Sequence, residues 1–260
     1  RYPADPRVEI LTQSNCGLSG ARNRALEHIR GKYILFVDSD DTLRKGAVQA
    51  LLSKAMETNA DIVQGGFVNM TGHGLVFGRT GYREGSVDET GQTPYGMAWG
   101  KVIRSSLFAH LKFPEGYWFE DTIFAFCIDP FRPAHYLIPT YVYNYYRNPL
   151  GITLRSRKKA KAVDTVWIMR YLMAELAQKK EVHSAQVQQL LLQHIALAWY
   201  RLSRLDEAVQ QAAFLVMQQM YTEYYAPQDI CVQDSRLLAL HQAMTAKSYE
   251  QYLAAAENLT

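Results

Sequence analysis

Short apolar runs alternate with stretches of helical periodicity through the first half of the chain. The segment 32–37, KYILFV, is apolar after its first residue, as in a strand buried inside a parallel sheet, and 8–12 and 60–70 also have strand composition. Segments 21–30 and 45–59 instead carry apolar residues three and four positions apart, which is the spacing of an amphipathic helix. This alternation of strands and helices predicts an α/β sheet with parallel members.

The second half of the chain is rich in Ala, Leu, Gln and Met, with apolar residues at every third or fourth position. The pattern predicts four amphipathic helices that pack as a small bundle on the first half. Their predicted ranges are 162–180, 184–205, 206–225 and 234–259. We therefore predict two units, an α/β domain over 1–153 and an α-helical subdomain over 154–260.

Composition is that of a globular protein: 260 residues, 48% hydrophobic and 20% charged, with a mean hydropathy of -0.21. The net charge of +3 is small, so bulk charge indicates no nucleic-acid partner. Cys16, Cys127 and Cys231 lie far apart without a CxxC pair, which favours reduced thiols and a cytoplasmic location. No apolar run approaches the ~18 residues that a membrane-spanning helix needs.

Three carboxylates, Asp38, Asp40 and Asp41, follow the apolar run at 33–37 with only a serine among them. Ligands of open α/β sheets bind beyond the carboxyl ends of the strands, and clustered carboxylates there suit a hard divalent cation such as Mg²⁺ or Mn²⁺. The plainer interpretation is a strand that ends in a turn, where Asp and Ser are favoured residues. The triplet alone does not separate these two interpretations.

The surroundings of the triplet carry a family resemblance. Residues 15–41 contain Asn-x-Gly, Ala-Arg-Asn, a helix, an apolar strand and Asp-x-Asp-Asp in that order, and 99–124 contain Trp-x-Lys, Phe-Pro and Glu-Asp. The segment 141–153 adds an aromatic strand with Tyr-x-Tyr-x-Arg. Together these motifs resemble the family 2 glycosyltransferases, inverting enzymes with a GT-A fold, in which a mixed sheet is flanked by helices. The resemblance covers residues 7 to about 155.

The resemblance implies roles for the acidic triplet. Asp38 is similar to the first Asp of the D-x-D motif, which faces the donor's ribose or the water shell of the metal. Asp40 is similar to the ligand of a Mn²⁺ or Mg²⁺ ion that bridges to the donor diphosphate. Asp41 is expected to support the loop or a water ligand.

The resemblance also implies a catalytic pair. Asp121 is similar to the base that takes the proton of the acceptor hydroxyl, and Glu120 is expected to orient the acceptor or Asp121. An alternative rests on position, because the pair precedes the apolar run TIFAFCI and acidic residues are favourable at a helix N-terminus.

Five further residues have both a functional and a structural interpretation. The resemblance implies that Arg22 and Asn23 line the donor cleft; the structural alternative is that they are surface residues of the first turn of a helix. Arg147 is predicted to contact the diphosphate, since guanidinium pairs well with phosphate, or to be a solvated strand end. Trp99 and Lys101 resemble a strand near the acceptor cleft, although tryptophan is more often a core residue than a ligand stack.

One departure from the family concerns its two opening strands, which carry the uracil pocket and a further nucleotide-binding aspartate. The resemblance begins at about the third strand, at residues 8–12. The alternatives are that this sequence belongs to a longer enzyme or that the missing strands come from elsewhere.

The resemblance therefore predicts an inverting, metal-dependent glycosyltransferase of surface polysaccharide assembly. The donor is expected to be a UDP-hexose or UDP-N-acetylhexosamine, and the acceptor a saccharide or a polyprenyl-diphosphate-linked sugar. The basic run 155–161 is compatible with contact at the inner face of the cell membrane, and the helical tail with acceptor, membrane or a second subunit in a homodimer. The alternative is a non-catalytic protein that binds nucleotide sugars. Nucleotidyltransferases and Rossmann dehydrogenases are disfavoured because no suitable glycine-rich loop follows a strand.

Overall fold

The computed structural model of the chain describes residues 5–128, 131, 134–148, 151, 159–225, 232 and 234–259. Within them the strands are β1 (Tyr33–Leu35), β2 (Thr42–Leu43), β3 (Ile62–Met70), β4 (Val76–Thr80), β5 (Gly85–Ser86), β6 (Lys101–Arg104) and β7 (His135–Tyr146).

The α-helices of the described residues are α1 (Gly17–Leu26), α2 (Ala47–Thr58), α3 (Val87–Thr90), α4 (Asp164–Gln178), α5 (Ala185–Leu202), α6 (Glu207–Tyr224), α7 (Leu238–Ala246) and α8 (Tyr249–Glu257). Short 3-10 turns cover Ser105–Phe108, Ala160–Val163 and Ser235–Leu237, and a π-helical turn covers Phe124–Ile128.

The strands form one mixed sheet, as the sequence predicts. Its order is β1-β6-β3-β7-β2, with β4 added beside β3 and β5 beside β7. The central pair, β3 and β7, is parallel, and the other ladders are antiparallel. Because β1 and β2 lie at opposite ends of this order, the segment 36–41 between them joins the two sides of the sheet.

The central strand β3 separates two hydrophobic clusters. Ile62 packs in one cluster and Val63 in the other, since successive side chains of a strand point to opposite faces. On the Val63 side, α2 contributes Leu51 and Ala55, which are fully buried. On the Ile62 side, the helices α4 to α8 close a larger core. Each fully buried Leu, Ile or Val of these cores contributes roughly 1.5–3 kcal/mol of hydrophobic stabilisation.

Two of the predicted strands need correction. Residues 8–12 form no strand in the described structure, and their Val8 and Ile10 side chains are exposed. The run 32–37 does form β1, but its ladder to β6 is antiparallel and its residues are only half-buried. Its half-burial follows from its place at the end of the strand order, where a strand has only one neighbour. One isolated parallel bridge joins Phe36 to Trp99.

The predicted helices are present with shifted ends. The helix predicted over 21–30 is α1, which begins at Gly17, where the Asn15 side chain accepts a hydrogen bond from the Gly17 N–H. The helix predicted over 234–259 is wrong as a single element. The chain breaks at Lys247, whose φ is 58°, and Ser248 then caps the start of α8.

No helix among the described residues combines the length and the apolarity needed to cross a membrane.

Candidate functional site

The acidic triplet forms a tight turn between β1 and β2. The N–H of Asp41 donates to the carbonyl oxygen of Asp38 at 3.2 Å, which closes the turn. The N–H of Asp38 donates to the hydroxyl of Tyr143 on β7 at 3.0 Å. The turn thereby separates three carboxylates of one segment into three different environments.

Asp41 is the buried member of the triplet. Its Oδ1 accepts a hydrogen bond from the N–H of Tyr146, at the end of β7, at 2.8 Å. Burial raises the pKa of Asp41 to about 6, while the hydrogen bonds from Tyr146 and Tyr143 oppose the rise and the charges of Asp40 and Asp38 add to it. Its hydrogen bonds are thus with residues of β7.

Asp40 is the exposed member of the triplet. One of its oxygens, Oδ2, accepts a hydrogen bond from the Asn148 side chain at 3.1 Å. The part of the chain that the structure describes holds no group of three His, Cys, Asp or Glu side chains able to enclose a metal ion. An exposed carboxylate nevertheless fits Mg²⁺ or Mn²⁺, because such an ion takes one or two carboxylates and completes its shell with water and substrate phosphates.

Arg147 follows directly after the last residue of β7, Tyr146. Its N–H donates to the carbonyl oxygen of Met70 at 2.8 Å, which fixes the backbone immediately before Asn148. The Arg147 side chain is exposed. Because Asn148 bonds to Asp40, Arg147 lies one residue from a direct contact with the acidic turn.

Arg22 joins the acidic turn to the second predicted motif. Its Nη2 donates to Oδ1 of Asp38 at 3.0 Å, and its Nη1 donates to Oε1 of Glu120 at 2.5 Å. The guanidinium is buried, with 8% of the side chain exposed, and lies over the rings of Phe113 and Phe36 at 5.2 and 5.7 Å from their centroids. Arg22 is therefore not a surface residue of a first turn, and it brings two motifs distant in sequence to one place.

Glu120 and Asp121 begin the turn that leads into Phe124–Ile128. The residue before them, Phe119, has a left-handed backbone with φ of 65°, which is unusual for a residue with a side chain. The N–H groups of Thr122 and Phe124 donate to the carbonyl oxygens of Phe119 and Asp121, both at 3.0 Å. The pair thus lies in a hydrogen-bonded turn that directly follows a residue with a strained backbone.

The carboxyl of Asp121 has a perturbed acidity. Desolvation by burial raises its pKa, and the neighbouring charge of Glu120 raises it further. The cationic side chains of Arg201, Arg22 and Lys101 act in the opposite direction. A partly buried carboxyl with raised pKa, beside a second acid and facing several cations, is typical of a functional group.

Asn23 is held from two sides. Its Nδ2 donates to the carbonyl oxygen of Phe113 and to Oε1 of Glu115, and its Oδ1 accepts from the N–H of Phe113, all at 2.8 Å. This reciprocal bond ties α1 to the loop that leads to the Glu120–Asp121 pair.

Trp99 and Lys101 are buried. Trp99 stacks on Tyr143 with ring centroids 4.4 Å apart and also contacts Tyr145 and Phe67. The Nζ of Lys101 donates to the carbonyl oxygen of Tyr95 at 2.8 Å and lies 4.8 Å from the ring centroid of Phe124. Both residues support the walls around the acidic turn and the Glu-Asp pair.

Sequence reasoning missed two polar residues of the helical half. Arg201 of α5 lies with its guanidinium carbon 3.8 Å from the ring centroid of Phe119, and Asp164 of α4 accepts a hydrogen bond from the N–H of Trp118 at 2.7 Å. Both occupy helices whose amphipathic periodicity gives no sign of a contact with the site. The one available signal was Asp164 at the predicted start of a helix.

The family comparison agrees with the motifs. Residues 1–111 match the family model described as Glycosyl transferase family 2. The chain is 31% identical over 133 residues to Glycosyltransferase GlyA of Streptococcus pneumoniae serotype 4, an alignment that covers 45% of this chain and 19% of that protein.

A second relative is a glucosyltransferase of Escherichia coli. The chain is 30% identical over 74 residues to UDP-Glc:alpha-D-GlcNAc-diphosphoundecaprenol beta-1,3-glucosyltransferase WfgD of Escherichia coli, covering 28% of this chain and 29% of that protein. The aligned parts thus span less than a third of the length of each of these two relatives.

Solved structures confirm the predicted GT-A fold. The crystal structure of S. aureus TarS 1-349 in complex with UDP-GlcNAc matches with a TM-score of 0.70 and 18% sequence identity. The match covers 95% of this chain and 73% of that chain, so it includes the helical half as well as the sheet.

Proposed function

Because residues 1–111 belong to glycosyl transferase family 2, we propose that this chain transfers a sugar, with inversion, from a nucleotide-diphosphate donor to a saccharide or lipid-linked acceptor. The proposal includes a UDP-hexose or UDP-N-acetylhexosamine as the donor and surface polysaccharide assembly as the setting.

One observation carries the proposal: Arg22 bonds to Asp38 on the acidic turn and to Glu120 beside Asp121. A transferase of this kind needs a donor site and a base within reach of one anomeric carbon. A single buried guanidinium that contacts both acidic motifs supports their action in the same cleft.

The donor side is the acidic turn with the end of β7. In this proposal Asp38 contacts the ribose, and Arg147 pairs with the diphosphate, for which an exposed guanidinium is well suited. The likeness to TarS 1-349 in complex with UDP-GlcNAc supports a UDP-linked donor, as does the UDP-Glc in the name of WfgD.

Asp40 would hold the metal ion, Mn²⁺ or Mg²⁺. When bound, such an ion stabilises the negative charge that develops on the leaving diphosphate. The protein's own contribution there is to keep the Asp40 carboxylate exposed and oriented through its bond to Asn148.

The acceptor side is the Glu120–Asp121 pair. Asp121 takes the proton from the acceptor hydroxyl as the oxygen attacks the anomeric carbon, and the raised pKa makes it a stronger base than an ordinary aspartate. Glu120, held by Arg22, orients Asp121 and keeps its environment negative. Asn23, Trp99 and Lys101 act behind the cleft by holding its walls.

The acceptor chemistry is proposed from one relative only. The name of WfgD contains GlcNAc-diphosphoundecaprenol, a lipid-linked sugar, and such an acceptor would bring this chain to the inner face of the cell membrane. The basic run predicted to help there lies over 155–161, of which 155–158 are outside the described residues. Lys161 is engaged within the protein, by Asp164 and the carbonyl of Gly116.

Titration calorimetry of UDP with and without Mn²⁺ tests the donor site. We expect metal-dependent binding to the whole chain, its loss in Asp40→Ala, and its retention in the control Asp88→Ala, which removes an exposed carboxylate of α3. Equal binding by Asp40→Ala and the parent chain would contradict the metal role of Asp40. Absence of binding to the parent chain would contradict the donor site in these 260 residues.

A further inference from the structure

The loop that carries the Glu120–Asp121 pair is attached to the helical half at several points. The N–H of Trp118 donates to Oδ2 of Asp164 at 2.7 Å, and the Nζ of Lys161 donates to the carbonyl oxygen of Gly116 at 2.7 Å. Lys161 and Asp164 also form an ion pair with a 2.5 Å separation. The loop is therefore bonded both to α4 and to the 3-10 turn that precedes it.

The third attachment is made by Arg201 in the last turn of α5. Its guanidinium lies over the ring of Phe119, and its Nη1 donates to Oγ1 of Thr165 on α4 at 2.7 Å. Thr165 is itself buried, so the guanidinium is fixed by one helix while it extends from another. A planar guanidinium suits this position, because it can stack on a ring and donate a hydrogen bond at its edge.

Phe119, the residue that Arg201 covers, has a strained backbone conformation. Its left-handed backbone, with φ of 65°, is disfavoured for any residue with a Cβ and persists only when the surroundings hold it. The strained residue immediately precedes Glu120 and Asp121. Its conformation consequently sets the direction in which the two carboxylates leave the backbone.

We propose that Arg201 is a positioning residue, which clamps Phe119 in its left-handed conformation and thereby aims Asp121 at the acceptor hydroxyl. This inference rests on the proposed transferase function for the identity of the acceptor. The orientation of the Asp121 carboxyl by a helix of the second half is inferred from the contacts of Arg201 with Phe119 and Thr165.

The electrostatics around Asp121 agree with this arrangement. Of the charged groups that face it, Glu120 raises its pKa, whereas Arg201, Arg22 and Lys101 lower it. Burial lowers the pKa of Arg201 to about 10, which still leaves the guanidinium charged at neutral pH. His194, which also faces Arg201, has its pKa lowered to about 4 by burial and is neutral there.

The test has a readout that does not depend on turnover. The Asp121 carboxyl is titrated by carbon NMR in the whole chain, with the resonance assigned from Asp121→Asn, and the exchange rate of the Thr122 amide proton is measured alongside. Arg201→Met keeps an apolar stem of similar length and removes the charge and the clamp. Arg204→Met is the matched control, since Arg204 is exposed just beyond the same helix.

We expect Arg201→Met to raise the pKa of Asp121 and to accelerate exchange of the Thr122 amide, which donates to the carbonyl of Phe119. Arg204→Met should change neither. Thr165→Val provides a milder variant in case Arg201→Met fails to fold, because it leaves the guanidinium but removes its anchor. It should shift both observables in the same direction, and wild-type values in the folded variants would overturn the proposal.

Kinetics then separate positioning from donor binding. If the chain transfers sugar as proposed, Arg201→Met should lower kcat on the order of 100-fold with the donor KM unchanged, since a small displacement of the base is costly. Arg201→Lys should restore the pH profile through its charge but recover kcat only in part. Equal loss of kcat and donor affinity would instead indicate a merely structural role.

Discussion

The three aspartates of one short turn differ because each meets a different environment. Asp41 is buried against the backbone of Tyr146, and its pKa is about 6. Asp38 accepts a hydrogen bond from the buried guanidinium of Arg22, which also bonds to Glu120, and Asp40 is exposed. Their order along the chain alone does not assign these roles. Contacts with β7 and α1 do, since these remove two of the three carboxylates from free solvent.

The contacts of Arg22 should dominate the stability of the site. Arg22→Met leaves Glu120 without its cation in a buried position, and breaking such a pair costs about 3 kcal/mol. We expect a lower free energy of unfolding in urea. The control Arg24→Met removes an exposed arginine of the same helix, paired with Glu27 at the surface, and should change little. Equal stability of the two variants would contradict the account.

The pH dependence of transfer should report the acidity of Asp121. Activity requires the ionised base, so kcat/KM should fall as the pH falls through a pKa that lies above the usual range of aspartate. Glu120→Gln removes the charge that raises this pKa while its Oε1 can still accept from Arg22. We therefore expect the acidic limb of the pH profile to move to lower pH.

Glu115→Gln is the control for that profile. Glu115 lies on the same loop and accepts from Asn23, but it is exposed and does not face Asp121. Its substitution should leave the acidic limb in place. An unchanged limb in Glu120→Gln would refute the assignment of Asp121 as the titrating base.

At the scale of elements, the end of β7 organises the donor side. The segment 36–41 crosses between the two sides of the sheet, and Tyr143, Tyr146 and Asn148 each bond to it from β7 or just beyond. The stack of Trp99 on Tyr143 fixes the first of these contacts. The packing of Trp99 and Tyr143 in the core therefore helps to fix the positions of the carboxylates in the turn.

Close approach of β3 to its neighbours should make the sheet sensitive at Gly66. A Cβ there would lie 2.6 Å from the carbonyl oxygen of Thr80 and 2.9 Å from the ring of Tyr141. We expect Gly66→Ala to lower the free energy of unfolding by roughly 1–3 kcal/mol, because a backbone oxygen cannot move aside cheaply. Thermal unfolding measures the change.

Gly72, in the turn after β3, is the matched control for that substitution. No atom lies within 4 Å of a Cβ built there, and its φ is not in the left-handed region. Gly72→Ala should therefore stay within about 0.5 kcal/mol of the parent chain. A loss at Gly66 no larger than at Gly72 would refute the steric argument.

Element types were largely predictable, and their pairings were not. Residues 45–59 and 60–70 became α2 and β3 nearly as expected, because their periodicity is long and clear. Residues 8–12 have strand composition but gain no ladder in the described structure, and Tyr33–Leu35 pair antiparallel with β6, whereas the prediction was a parallel strand. A strand exists only through a partner, and the identity of the partner is a property of the whole fold.

At the scale of the whole molecule, the two predicted units share a core. Ile62 and Ile103 of the sheet lie in one hydrophobic cluster with Leu172, Leu191 and Phe214 of the helices. The boundary predicted at 153/154 remains a prediction. Arg201 and Asp164 of the helices contact Phe119 and Trp118 of the loop that carries Glu120 and Asp121. The helical half therefore takes part in the site.

The sequence motifs single out candidate residues of the site but not the contacts between them. The motifs identify Asp38, Asp40, Glu120 and Asp121 by their order along the chain. The partner of Glu120, however, is Arg22, which lies 98 positions away, and sequence spacing cannot reveal that ion pair. Arg201 was missed for the same reason, since its contacts form only when α5 packs beside α4 and the loop that carries Phe119.

The most direct test of the central claim combines calorimetry with a transfer assay on Asp121→Asn. If the acidic turn binds the donor and Asp121 is the base, the variant should bind UDP and Mn²⁺ like the parent chain. Its transfer from a UDP-sugar should fall by about 10²- to 10⁴-fold. Transfer at the parental rate, or loss of UDP binding together with transfer, would contradict the separation of the two roles.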